Sequence, residues 1–498
     1  MSVSIDSPYA VHPLYASMLT TWELTTDLMG GTRSMRAAGK RWLPQEEKEK
    51  EDAYQARLER SVLFEAYREA VGTLGGRPYG YPVSLPDEVP LPEPLDRIEK
   101  RCDDEGRDLT QFCRHITKMA IDRGLVHVLV DSPSTSAGNL QEQRKLGLKP
   151  YFVVIDPMDL LSWRYEVAAN GEKKLTQIRI REWYYKDVGD FGVEKEERVR
   201  VIYPDRWELY ERSSSNKNEW AVVQEGEWSL GEISLVTIYL DEDHGFMTAR
   251  PPLEGLAWLN LAHWQSFSDH RHNLRFARAG TVTATGITQE ELDAGFAWGV
   301  NRIISSTNPN AQFGILEHTG NAVKVGEDEL RHLEEMMQVL GKAPLMIQSW
   351  GNRTAMQAAI DEGKASCDLQ AWIRSMEAGI RSCYEYAAKW EGVTLPDDFD
   401  VDIWDDFGMV PRSDRDLDML FRAHEAGVIC KRTLGRQIQL RGVLTAEVDL
   451  EAEEEAIKQE GPALGLIGRE KEEEPEEEEP EEEEPEEEEP EEQEPEEE

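Results

Sequence analysis

Apolar residues near the amino end recur at close to helical spacing: Leu14, Met18, Leu19 and Trp22, then Leu58, Val62, Tyr67 and Val71. This pattern predicts two helices between residues 12 and 75, separated by Pro44 and a charged run through Lys50. Six prolines between residues 76 and 96 remove backbone donors at short intervals, which predicts a stiff crossing segment without regular structure. A helix is then expected over residues 109–123, with Gly124 as its stop. The apolar run at residues 125–130 reads as a buried strand. Further strands are expected at residues 151–155, 175–182, 198–203, 207–210, 220–223 and 233–240, with Asn170-Gly171 as a hairpin turn, giving a mixed sheet with a few helices.

Pro251-Pro252 opens a long helical stretch over residues 253–277. Its first half is apolar through Leu256, Leu259 and Trp264, and its second half carries His270, Arg271, His272, Arg275 and, just beyond, Arg278. A β-rich insert over residues 280–326 follows, and then a helix over 327–340 with Leu330, Leu333, Met337 and Leu340 on one face. Pro344 and Gly351 interrupt the pattern between residues 341 and 354. From residue 355 it resumes, with Leu369, Ile373, Met376, Ile380, Cys383, Ala387 and Trp390 alternating steps of four and three. Gly392 and Pro396 end that helix. Phe399, Val401 and Ile403 alternate with Asp400, Asp402 and Trp404 as a strand with an acidic face. Residues 413–441 give a helical hairpin turning at Ala426-Gly427.

At 498 residues the chain suggests three or so units. Its 55 Lys and Arg against 99 Asp and Glu leave −44, of which −20 falls in residues 471–498 (21 Glu, one Lys) and −24 in the rest. That balance excludes a protein that coats duplex DNA by bulk charge. In the last 28 residues prolines recur every fifth position among glutamates, so an extended solvated chain of up to ~90 Å is expected there. The first residues lack the basic and apolar regions of a secretory signal, and no apolar run approaches the ~18 residues of a membrane span. Five cysteines without C-x-x-C spacing read as reduced thiols.

Motifs for chemistry are sparse. Gly39-Lys40, Gly341-Lys342 and Gly363-Lys364 are fragments of a phosphate loop without the whole, and neither G-x-S-x-G nor H-E-x-x-H occurs. His263, His270 and His272 with Asp269 offer metal-ligand chemistry, but His270 and His272 diverge on a helix, so a basic helix end facing acidic neighbours or nucleic acid is the better reading. Asp241, Glu242, Asp243 and His244 follow a strand, where a nuclease would hold a divalent cation. Asp398, Asp400 and Asp402 imitate a calcium loop, yet Ile403 stands where the turn glycine belongs and Met409 where the bidentate glutamate does. Lys431, Arg432, Arg436 and Arg441 on the second helix of the hairpin would suit a DNA groove, although such hairpins are far commoner as packing units.

The order of segments (helical start, α/β unit, long helix, β-rich insert, second helix, interrupted loop, long helix) resembles the portal protein of tailed bacteriophages. It is similar to one subgroup in particular, long catalogued as a domain of unknown function. The stretches that carry the likeness are Trp42-Leu43-Pro44, residues 107–112, Gly124 with residues 129–133, residues 149–151 with Ser162-Trp163-Arg164, and residues 259–264 through Ser268-Asp269. The resemblance covers about residues 12–450. It implies an α+β portal fold: a wing over 1–252, a first stem helix over 253–279, a clip over 280–326, and a second stem helix over 327–340. A tunnel loop over 341–354, a long helix and return strand over 355–411, a crown over 412–460 and a disordered Glu/Pro tail over 461–498 complete it.

The resemblance further implies a homo-oligomeric ring, usually a dodecamer, at one capsid vertex of a virion assembled in the host cytoplasm. Double-stranded DNA passes through the ring. The terminase large subunit, head-tail adaptors, major capsid and scaffold proteins are the expected partners. No enzyme activity, cofactor, metal or membrane is expected. Met346, Ile347 and Trp350 would face the DNA channel, and Arg271, Arg275 and Arg278 would meet either phosphates or, preferably, acidic groups of the adjacent subunit. The competing readings are a metal-dependent nuclease using Asp241, Glu242 and Asp243, and an acidic scaffold or chaperone that holds basic partners with its tail.

Overall fold

The computed structural model describes residues 7–85, 91–133, 148–212, 219–241, 245–279, 281–294, 306, 308–316, 321–341, 355–405, 414–440, 444 and 448. It is an α+β chain that divides into two units, residues 1–409 and 410–498. In the first, α1 (Pro13–Met29), α2 (Gly31–Ala38), α3 (Glu51–Arg60) and α4 (Ala66–Leu74) precede the sheets. Four helices therefore stand where the apolar pattern predicts two. Gly31, at φ +69°, starts α2 directly after α1 and is what turns one helix into the next. The proline-rich segment also holds more structure than expected: a 3-10 turn at Arg77–Gly80 and a one-turn α5 (Glu93–Asp96), with prolines at first-turn positions where no amide donor is needed.

Asp108 caps α6 (Leu109–Arg123) by accepting from the Gln111 N–H at 2.7 Å. Gly124 ends the helix at φ +87°, as its position in the sequence suggests. There is a second reason for a glycine: a Cβ at Gly124 would lie 2.4 Å from the Arg250 carbonyl oxygen. β1 (Leu125–Asp131) is flanked by β2 (Tyr151–Ile155) and β8 (Leu235–Tyr239), both antiparallel to it. Its apolar run, broken only by the buried His127, reflects burial on both faces. Val126, Val128 and Val130 join the helical core, whereas Leu129 joins a second core under the other sheet.

That sheet is a five-stranded antiparallel meander of β3 (Leu160–Val167), β4 (Lys173–Val188), β5 (Gly192–Ile202), β6 (Arg206–Arg212) and β7 (Trp220–Glu227). The expected mixed sheet is thus two separate antiparallel sheets. Asn170-Gly171 does turn between β3 and β4, although β3 itself is not among the expected strands.

After the sheets come α7 (Glu254–Ala279), the two-stranded β9 (Thr281–Thr285) and β10 (Gln312–Leu316), with α8 (Gln289–Ala294) between them, and α9 (Asn321–Leu340). The helix expected at residue 327 therefore begins six residues earlier. α10 (Ala355–Glu391) ends at Gly392, φ +66°. Beyond it Phe399, Val401 and Ile403 are buried as the alternation predicts, but they form no strand: Asp402 makes an isolated bridge with Ser84. The second unit, described by itself, is the helical hairpin α11 (Asp414–Glu425) and α12 (Lys431–Leu440), turning through Gly427 at φ +71°.

Candidate functional site: the seams of the long helices

α7 is held from two sides. Toward α9 its contacts run in opposite chain directions: Gly255 lies against Leu340, His263 against Glu334, Ser266 against Glu329 and His270 against Gly326. α7 and α9 are therefore antiparallel arms of a hairpin, with the β9–β10 insert at its far end. Ser266 Oγ donates to Glu329 Oε1 at 3.1 Å, and His263 Nε2 stands 3.4 Å from Glu334 Oε1. Burial pushes the His263 imidazole down, with Glu334 opposing, and the rings of Phe64 and Phe267 lie 5.2 and 5.7 Å from it. Gly326 is required by this approach, since a Cβ there would come within 2.7 Å of His270 Nδ1.

On its other side α7 is tied to the amino-terminal helices. Asn260 is fully buried; its Oδ1 accepts the Tyr67 N–H at 3.0 Å and its Nδ2 donates to the Phe64 carbonyl at 2.8 Å. Gln265 donates to the Trp42 carbonyl at 2.9 Å, and Ser61 Oγ donates to Ser268 Oγ at 2.8 Å. Beside that serine pair, Arg57, Arg60, Arg271 and His272 line a shallow recess. Arg57 is buried and matched: its guanidinium meets Glu49 at 2.8 Å and Asp269 at 3.7 Å, and the hydrogen bond from Arg57 holds the Glu49 carboxyl below its usual range.

α10 is anchored by its carboxyl half. Ile373, Met376, Ile380, Cys383, Tyr384 and Ala387 are buried in the main core, and Gly379 sits so close to Ile238 of β8 that a Cβ would be 2.4 Å from that side chain. Trp390 Nε1 donates to the Val130 carbonyl at 2.9 Å. Glu377 accepts the Ile403 N–H at 2.9 Å, and burial, reinforced by Asp402, Asp405 and Asp400, pushes its carboxyl up to about 7.

Residues 252–391 match the family model of a domain of unknown function (DUF4055). The matched segment runs from α7 to α10 and holds the α7–α9 contacts, whereas the ties to the amino-terminal helices, β1, β8 and Ile403 reach outside it. A chain in the virion of a native gene transfer agent (GTA) particle aligns with 76% of this chain and 89% of its own at 11% identity, with a TM-score of 0.40. A chain in the neck of an empty GTA particle aligns over the same shares at 10% identity and a TM-score of 0.40. No curated protein matches.

Of the residues singled out from sequence, Arg271 and Arg275 are exposed on the last turns of α7, with the Arg271 guanidinium 5.7 Å from the Phe267 ring. Arg278 belongs to the same helix, and its side chain lies outside the described residues, as do Met346, Ile347 and Trp350 and the Glu/Pro tail. The candidate metal residues His263, His270, His272 and Asp269 do not converge. His263 and His270 face α9, whereas His272 lines the recess by α3 and Asp269 meets Arg57. Asp241 accepts the Arg250 N–H at 3.0 Å and ties a turn, while Glu242, Asp243 and His244 lie outside the described residues. Asp400 accepts the N–H of Val401, and Asp402 bonds the Ser84 hydroxyl. Among the described residues no group of three His, Cys, Asp or Glu is placed to hold a metal, and no helix is long and apolar enough to cross a membrane.

Sequence reasoning missed the pairing of Arg57 and Arg60 with α7, and it missed Glu377. Arg57 and Arg60 are three apart on α3, a spacing that puts both on one side. Nothing local signals that α7 meets that side. Glu377 reads as one surface glutamate among many, and only the fold sets three aspartates beside it.

Proposed function

We propose that the chain is the portal subunit of a tailed bacteriophage or phage-like particle, a structural ring component without enzymatic activity. Twelve copies surround a channel at one capsid vertex, through which double-stranded DNA is packaged and ejected. The terminase large subunit docks first and head-tail adaptors follow. The observation that carries this reading is the antiparallel α7–α9 hairpin with a β-insert at its end, followed by an interrupted segment and then the long helix α10, in the order the portal resemblance implies.

Physical features support it. α9 leaves Val325 and Val339 each about two-thirds exposed, and α7 leaves Trp258 exposed, apolar surface that adjacent copies would cover. A net charge of −44 per chain gives a translocating duplex no cumulative hold on the wall. Arg271, Arg275 and Arg278 belong to the interface between copies, and Met346, Ile347 and Trp350 to the channel.

The test is assembly of the purified full-length chain. Projection images should show closed rings, with twelvefold rotational symmetry the expected count. A monomeric mass at every concentration and ionic strength would overturn the reading, and cation-dependent cleavage of plasmid DNA would replace it with a nuclease.

A further inference from the structure

The five-stranded sheet carries a ribbon that outruns its neighbours. β3 stops pairing with β4 at Ile180, and β6 stops pairing with β5 at Arg198. Among the described residues, 183–188 of β4 therefore pair only with residues 192–197 of β5, in the register Trp183↔Glu197 to Val188↔Gly192. At about 3.3 Å per residue this ribbon projects roughly 20 Å beyond the sheet. The register sets Trp183, Tyr185 and Val193 on one face, with Tyr185 72% and Val193 60% exposed, and the tip residue Phe191 is 100% exposed. Lys195 lies over the Trp183 ring on that face, but a two-stranded ribbon with exposed apolar side chains and, among the described residues, two open edges is unstable by itself and templates association.

The tip is also acidic. Residues 186–194 contain Lys186 against Asp187, Asp190 and Glu194, that is +1 − 3 = −2. Among the described residues none of those three carboxylates has an ion-pair partner.

The recess between α3 and α7 has the opposite character. Arg57 is neutralised by Glu49 and Asp269, which leaves Arg60, Arg271 and, one helical turn on, Arg275 exposed and without an ion pair among the described residues. The chain continues from Arg60 and Ser61 into Val62 and Phe64, 40% and 47% exposed. Apolar side chains flanked by carboxylates thus stand on the ribbon, and exposed apolar Val62 and Phe64 follow directly in the chain on Arg60 and Ser61, which line the recess. The full exposure of Phe191 and the free arginines show that the two do not meet within one chain.

We propose that the ribbon tip of one copy docks on the α3–α7 recess of a second copy. Phe191 packs against Val62 and Phe64, and Asp187, Asp190 and Glu194 face Arg60, Arg271 and Arg275. This rests on the ring reading and names the contact that closes it. Because the two patches are different surfaces of the same molecule, the contact is head-to-tail, the kind that propagates around a ring. A duplex-DNA phosphate is the less fitting occupant of the recess, because exposed apolar Val62 and Phe64 follow directly on its lining residue Ser61 and the Asp269 carboxylate meets Arg57 of the same lining.

The experiment uses three full-length variants: Asp187→Lys/Asp190→Lys/Glu194→Lys, Arg60→Glu/Arg271→Glu/Arg275→Glu, and both sets in one chain. Association is followed by sedimentation and mass photometry. Each set alone should weaken ring formation at least about tenfold, and the doubly reversed chain should return to within about threefold of the unmodified protein. Phe191→Ser, at a fully exposed position, should weaken association with no change in melting temperature. Rings that form normally with either reversed set, or a doubly reversed chain that fails to recover, would overturn the docking while leaving the ring itself standing. So would a recess variant that assembles normally but loses duplex-DNA binding. An unmodified protein that never associates would sink the ring reading and the docking together.

Discussion

Replacing Glu377 by Gln separates the charge of that side chain from its hydrogen bond. The amide oxygen can still accept the Ile403 N–H, now made by the carboxylate at 2.9 Å. What disappears is a negative charge that burial and then Asp402, Asp405 and Asp400 disfavour, raising the carboxyl from its ordinary 4.5 to about 7. The folded chain therefore holds this proton more tightly than the unfolded chain. The contribution is fully present below the ordinary value and is lost as pH rises through about 7. At about 1.4 kcal/mol per pH unit the full gap sets an upper bound of roughly 3.4 kcal/mol. The group is only half-buried, and solvent screening reduces this to about 1 kcal/mol. Glu377→Gln should accordingly melt with the unmodified protein near pH 4.5. It should pull ahead between pH 5 and 7 and stay higher by about 1–3 °C at pH 8.5. Differential scanning calorimetry of the two proteins across that range makes the measurement, since all other titrations are shared and cancel in the difference. A variant whose melting temperature is lower by a constant amount at every pH would show that the side chain acts through packing or the hydrogen bond, and the charge argument would be wrong.

Other consequences are simpler to state. Asn260→Ala strips the Tyr67 N–H and the Phe64 carbonyl of buried partners and should cost about 2–4 kcal/mol in thermal or chemical unfolding; a loss under 1 kcal/mol would mean that α4 and α7 are not held this way. Gly379→Ala drives a methyl group into Ile238 and should cost about 1–3 kcal/mol. Adding Ile238→Val to that variant should recover part of the loss, and unfolding curves of the single and double variants decide it. Shortening residues 341–354 should leave rings intact in projection images but impair DNA packaging or retention; normal packaging would remove Met346, Ile347 and Trp350 from the channel.

Much of the fold was legible where one local rule decided the outcome. Gly124 and Gly392 end helices because no side chain tolerates those positive φ values well, and the four-and-three alternation from Leu369 to Trp390 marks a face that is indeed buried. Illegible features are those decided by distant partners. The first half of β3 is buried on both faces, so Leu160, Leu161 and Trp163 show no alternation there. The early start of α9 runs through Val323, Val325 and Gly326, poor helix formers that are tolerated because Gly326 lets His270 of α7 approach. A mixed sheet and two antiparallel sheets read alike, because a strand's sequence does not name its neighbour. At the site, the basic end of α7 was visible and its exposed arginines are where the helix predicts. The recess at the end of α7 and α3 was not, because 207 residues separate Ser61 from Ser268 and only tertiary packing brings them together.

The double fastening of α7 makes it a lever with a fixed fulcrum. Its start is locked by the Gly124–Arg250 contact to the head of β1, its middle by Asn260 to α4, and its later turns by Ser268 to α3, while α9 runs alongside it. A push delivered at the β9–β10 insert therefore cannot be absorbed by bending at the root. It would travel as a rigid tilt into the amino-terminal helices and the three-stranded sheet, so an event at one end of α7 is felt some 40 Å away, the length of a 26-residue helix at ~1.5 Å per residue.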